Sequence, residues 1–162
     1  MNSLNKSIGE YTAQLHLGHI QKAYKGIMTF MSDLRTYLDN KYPDYTASAL
    51  YFGYMDMTYF AFTPSDLKKE NLKIAIVFLH EACTFEVWLG GKNRKTQADY
   101  IEILKHKKID PYRLSQVLPG VDSIIESTIV KQPDFDNPEK LKKQIEEKTI
   151  AFIEDLYRIG VI

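Results

Sequence analysis

Cysteine is nearly missing from this chain: Cys83 stands alone among 162 residues, so no intramolecular disulfide can form. One cysteine with four histidines matches no structural zinc pattern. Net charge is missing too. Lys plus Arg and Asp plus Glu both number 21, so no global field draws the chain to phosphate backbones or anionic membranes. Non-specific nucleic-acid binding is therefore disfavoured. No stretch approaches the roughly 18 consecutive apolar residues of a membrane span, and Met1 to Lys6 leads into an amphipathic pattern without an apolar export core. Neither export nor membrane spanning is expected, and the expected location is a reducing cytoplasm. Also lacking are a Gly-x-Ser-x-Gly elbow, the spacing of a phosphate-binding or dinucleotide glycine loop, and any repeat of 20 to 50 residues.

What remains is ordinary globular material, 44% hydrophobic and 26% charged, in a length suited to one domain over residues 1–162. Leu4, Ile8, Tyr11 and Leu15 recur at helical spacing up to Gly18. Ile20, Tyr24, Ile27, Met31, Leu34 and Leu38 continue the period to a stop at Pro43, which predicts a helical hairpin. Residues 50 to 62 change character: six aromatics in about a dozen residues predict one long strand or a tight hairpin near Gly53. Thr63-Pro64-Ser65-Asp66 reads as a capped short helix ending near Asn71.

Leu72 to His80 and Thr84 to Leu89 are β-rich runs separated by Glu81, Ala82 and Cys83, the best hairpin in the sequence. Gly90-Gly91 then opens a helix over about Asn93 to His106. Residues 121 to 130 predict another strand, and Asn137-Pro138-Glu139 starts a last helix that ends near Gly160. Without regular alternation of strand and helix, the fold class is α+β, with helices packed on a mainly antiparallel sheet, an N-terminal helical hairpin and a C-terminal helix.

Four groups of residues can carry chemistry. Asp56, Glu81 and Glu86 lie on or beside predicted strands and can hold a divalent cation, the set a metal-dependent hydrolase or nuclease acting on a phosphate-containing substrate would use. Against this, strand alternation makes Glu86 a solvent-facing neighbour of Thr84 and Trp88, with Phe85, Val87 and Leu89 turned to a core. His80 beside Glu81 can serve as an acid or base, although adjacent strand residues face opposite ways. Lys92 and Arg94, in a glycine turn that opens a helix, are anion-binding candidates. Tyr54, Asp56, Tyr59, His80 and Trp88 are the candidates for a ligand pocket, because tyrosine and tryptophan combine flat apolar walls with a polar tip.

The runs Gly53-Tyr54-Met55-Asp56-Met57-Thr58-Tyr59-Phe60, Leu72-Lys73-Ile74-Ala75-Ile76-Val77-Phe78, Phe85-Glu86-Val87-Trp88-Leu89 and Gly120-Val121-Asp122-Ser123-Ile124-Ile125-Glu126 resemble those of an uncharacterised family of small bacterial proteins, over nearly the whole chain. The resemblance implies a stand-alone bacterial cytoplasmic protein, a domain of unknown function, and carries over no catalytic residue. Residues 84 to 100 are also similar to domains related to restriction endonucleases. Those enzymes use a Glu-x-Lys, whereas Val87 and Trp88 follow Glu86 here.

Taken together, no complete catalytic set is present, and the sequence does not identify a cofactor. The expected function is a regulatory domain that binds a small molecule or a protein partner, with a homo-oligomer formed through the aromatic segment as a further expectation.

Overall fold

The computed structural model describes residues 3–162. The elements run in the order α1 (Leu4–Leu17), α2 (His19–Lys41), β1 (Tyr45–Ala47), β2 (Met57–Pro64), α3 (Ser65–Lys69), β3 (Leu72–Leu79), β4 (Thr84–Gly91), α4 (Arg94–Leu104), β5 (Ser123–Lys131) and α5 (Pro138–Ile159). The five strands lie side by side in chain order, every neighbour antiparallel. The fold is α+β, with an N-terminal helical pair and a C-terminal helix, as the sequence pattern predicts. No helix among the described residues is long and apolar enough to cross a membrane.

The sheet has two unlike faces because its strands alternate. Phe60, Phe62, Ile74, Ile76, Phe78, Phe85, Val87 and Leu89 are buried on one face. There they meet Phe30, Met31, Leu34 and Leu38 of α2, Ile101 and Leu104 of α4, and Leu141, Ile145, Phe152 and Leu156 of α5. Burying each such side chain contributes about 1.5 to 3 kcal/mol. Met57, Tyr59, Lys73, Glu86, Trp88 and Glu126 point the other way and join neither core cluster. Among the described residues, that face carries no helix of the core.

Helix ends follow the capping signals. Gly18 and Gly160 close α1 and α5 in the left-handed region, and the Asn93 side chain caps α4 by accepting the Thr96 N–H at 2.8 Å. Helix α1 buries none of its residues; Leu4, Ile8 and Tyr11 of its apolar stripe are exposed.

One open reading is resolved, one expectation needs correction and one strand is added. Of the two readings of residues 50 to 62, the hairpin near Gly53 forms and the single strand does not: the chain turns between Tyr51 and Tyr59, which bridge antiparallel, and only Met57 onward is sheet. The turn forces Gly53, since a Cβ there would lie 1.9 Å from the Met57 carbonyl oxygen and φ is +77°. Thr63 and Pro64 do not cap α3; they end β2, and Asp66 accepts the Leu67 N–H instead. Strand β1 gives no sequence signal, being three residues long and only partly covered.

One polar group ties α2 to α5. Glu146, 5% exposed, accepts hydrogen bonds from the Tyr37 and Tyr42 hydroxyls, both at 2.6 Å, and pairs with Lys41 at 2.6 Å. Burial alone would raise the carboxyl pKa, but the bonds from Lys41, Tyr37 and Tyr42 outweigh it and hold the group below the usual range. Burial, and then the bond to Glu146, push Tyr42 up to about 12.

A carboxyl whose folded pKa is depressed contributes stability above its unfolded pKa, and loses it as pH falls through the folded value. Glu146→Gln should therefore lower the unfolding free energy by about 2 kcal/mol at neutral pH. The gap between variant and wild type, read from urea unfolding, should close in acid.

Candidate functional site

The uncovered face of the sheet brings together residues far apart in sequence. Antiparallel pairing sets Tyr59 beside Val77, Val77 beside Glu86 and Ala75 beside Trp88. Alternation turns all of them to the same side. The result is a shallow depression with Tyr59 and Trp88 as walls, Ala75, Val77 and Gly90 as floor, and Lys73, Asp122 and Ser123 at the rim. It encloses only about 50 Å³, far below the roughly 300 to 1,000 Å³ that surrounds a drug-sized ligand. A ligand here lies on the sheet instead of inside it, which suits a flat ring.

The indole is held in place. Its Nε1–H donates to Glu86 Oε1 at 2.8 Å, and the Thr128 hydroxyl donates to Glu86 Oε2 at 3.2 Å. Glu86 is thus an orienting group for Trp88, on a strand whose Phe85, Val87 and Leu89 are fully buried, as alternation predicts. At the rim, Ser123 donates to Glu126 at 2.5 Å. The aliphatic stem of Lys73 lies over Gly90, within 3.3 Å of where a Cβ would stand.

The other sequence-predicted pocket residues lie elsewhere. His80 follows β3 on the opposite, helix-covered side, stacked on Tyr24 with ring centroids 6.1 Å apart and edge-on to Phe78. The Thr58 hydroxyl donates its one hydrogen to the Phe52 carbonyl at 2.7 Å, so at 2.8 Å from His80 Nε2 it accepts. This places the imidazole proton on Nε2 and leaves Nδ1 with its lone pair. Burial lowers the His80 pKa, and the nearby Asp56 only partly offsets that. His80 also borders a hollow of about 840 Å³ whose wall is Phe30, Phe78 and Phe135, rings already packed edge to face on one another.

Tyr54 is 90% exposed at the tip of the 51–56 turn. Asp56 organises that turn, its Oδ1 accepting the Tyr54 N–H at 2.9 Å, and the backbone N–H groups of Tyr54 and Met57 lower its pKa. Glu81 is exposed in the β3–β4 turn. Asp56, Glu81 and Glu86 are not gathered: among the described residues no three His, Cys, Asp or Glu side chains form a group able to hold a metal ion.

Lys92 and Arg94 also part company. Arg94 donates to the Leu118 carbonyl at 3.3 Å, and the start of α4 is occupied by its own Asn93 cap. Gly91 is required by close packing, because a Cβ there would sit 2.7 Å from the Gln97 backbone nitrogen. Lys92, instead, joins Lys68 and Lys73 around a hollow of about 420 Å³ that Thr46, Thr63 and Asn71 complete. Sequence reasoning missed Lys68 and Lys73, since only the register Leu72↔Gly91 and the Lys92 N–H to Asn71 carbonyl bond at 2.8 Å set these loops side by side.

The model of a family described as "Domain of unknown function (DUF7000)" matches residues 4–159 of the chain. No curated protein and no solved structure matches it.

His80 carries a direct consequence of this geometry. A neutral imidazole with a depressed folded pKa contributes stability above its unfolded value of about 6.5 and loses it as pH falls through the folded value. An NMR titration should show His80 protonating below that ordinary value, from the Nε2–H tautomer. A midpoint at or above it would contradict the burial of the ring that lowers it.

Proposed function

The chain belongs to the DUF7000 family of domains of unknown function, and from the geometry of its sheet we propose a regulatory domain that binds a small planar ligand and carries out no chemistry on it. The observation behind this reading is the pair Tyr59 and Trp88, held apart over a floor of Ala75, Val77 and Gly90 on a sheet face without a core helix. Buried aromatics normally close a core. These two stand half-buried instead, with the Tyr51 ring packed on Tyr59 at 4.9 Å between centroids.

A flat ring laid between them gains dispersion and stacking, worth about 1 to 3 kcal/mol per ring on an aromatic platform. Orientation comes from the rim, where Lys73 and Asp122 offer a cation and an anion. The Glu86 bond holds the indole before the ligand arrives, which lowers the ordering cost of binding. Nothing in this set pairs a nucleophile with a base, so the reading is recognition. The single cysteine, Cys83, is free and exposed, which fits a reducing compartment.

Trp88 is the chain's one tryptophan, so its emission reports on this face alone. Titration with nucleosides, flavins and aromatic amino acids should give a saturable change in Trp88 fluorescence with at least one of them. Tyr59→Ala should weaken that binding about tenfold with the circular dichroism unchanged. A flat Trp88 response to the whole panel would count against the proposal.

A further inference from the structure

We propose that the hollow lined by Lys68, Lys73 and Lys92 receives the phosphate group of the ligand whose ring rests on Tyr59 and Trp88, which makes the ligand class a nucleotide or another phosphorylated planar compound. This rests on the reading of the aromatic face as a ligand site.

Three observations converge on it. The first is charge: three lysines line one hollow, and none of them forms an ion pair among the described residues. Asp66, two residues before Lys68, is engaged elsewhere, accepting the Tyr157 hydroxyl at 2.7 Å, and neither it nor Glu70 lines the hollow. Surface lysines usually find a carboxylate or spread apart, and cations held together without one form a site for an anion.

The second is hydrogen bonding. Thr63 Oγ1, 4% exposed, accepts the Ile74 N–H at 3.1 Å, which leaves its own hydroxyl hydrogen to donate into the hollow. The third is continuity. Thr46 pairs with Thr63, and Ala61 pairs with Ala75, so the hollow lies on the same uncovered sheet face as the aromatic depression. Lys73 borders both. A ring on Trp88 and a phosphate among the lysines are thus two ends of one continuous surface. Three carboxylates belong to this face, Asp122 at the rim of the aromatic end and Glu86 and Glu126 beside Trp88, and none of them lines the lysine hollow.

The test compares AMP, GMP, CMP, UMP and FMN with their dephosphorylated counterparts and with inorganic phosphate, using Trp88 fluorescence and thermal shift. Lys68→Met/Lys92→Met serves as the variant. Lys73 is left intact because its stem covers Gly90. In the wild type at least one phosphorylated compound should bind roughly tenfold or more tightly than its dephosphorylated form. In the double variant that preference should vanish while the dephosphorylated form binds as before.

Equal binding of the two forms to the wild type, or a preference that survives in the double variant, overturns the phosphate assignment and leaves the aromatic site standing. Stabilisation by inorganic phosphate that the double variant loses, with no Trp88 response to any ring compound, supports the anion site and overturns the aromatic one. No response to any compound overturns both.

Discussion

The pairing of β3 with β4 in one register, from Leu72 opposite Gly91 to Leu79 opposite Thr84, is the constraint on which both halves of this molecule depend. It lines up Ile74, Ile76 and Phe78 with Phe85, Val87 and Leu89 to make the floor of the core, and in the same stroke places Lys73, Ala75 and Val77 beside Glu86, Trp88 and Gly90 on the other face. A slip of one residue would turn every core side chain of the moved strand to water, at about 1.5 to 3 kcal/mol each. Core stability therefore fixes the geometry of the uncovered face, although nothing on that face contributes to the core clusters.

The two turns at the end of this hairpin complete the arrangement. The Lys92 N–H bond to the Asn71 carbonyl joins the loop after α3 to the loop before α4, and the close approach of α4 over Gly91 keeps the second loop in place. Glu146 does comparable work on the covered side, where its bonds to Tyr37, Tyr42 and Lys41 fasten α5 to α2 above the sheet. The helices are thereby committed to one face, and the aromatic and lysine surfaces are left on the other.

Much of the fold was legible because its signals are local. The stripes of α2 and α5, the alternation of Phe85, Val87 and Leu89, and the glycines Gly18 and Gly160 need only their neighbours to be read. Strand β1 was not legible, because three residues carry no period. Nor was the turn at residues 51–56, whose aromatics mimic a strand while Gly53 and Met55 adopt positive φ. At the site, Tyr59 and Trp88 could be named for one pocket but not sorted from Tyr54, Asp56 and His80, and Asp56, Glu81 and Glu86 could not be separated, since either step requires strand order. Lys68 and Lys73 carry no signal at all on their own; their meaning lies in the register that brings them to Lys92.

That the Trp88 face stands uncovered is the claim on which the account turns, and acrylamide quenching of the sole tryptophan addresses it most directly. Efficient quenching of a half-exposed indole, equal across protein concentrations, is the predicted result. A blue-shifted emission protected from acrylamide would contradict it, because it would mean that some other part of the molecule or a second copy covers this face of the sheet.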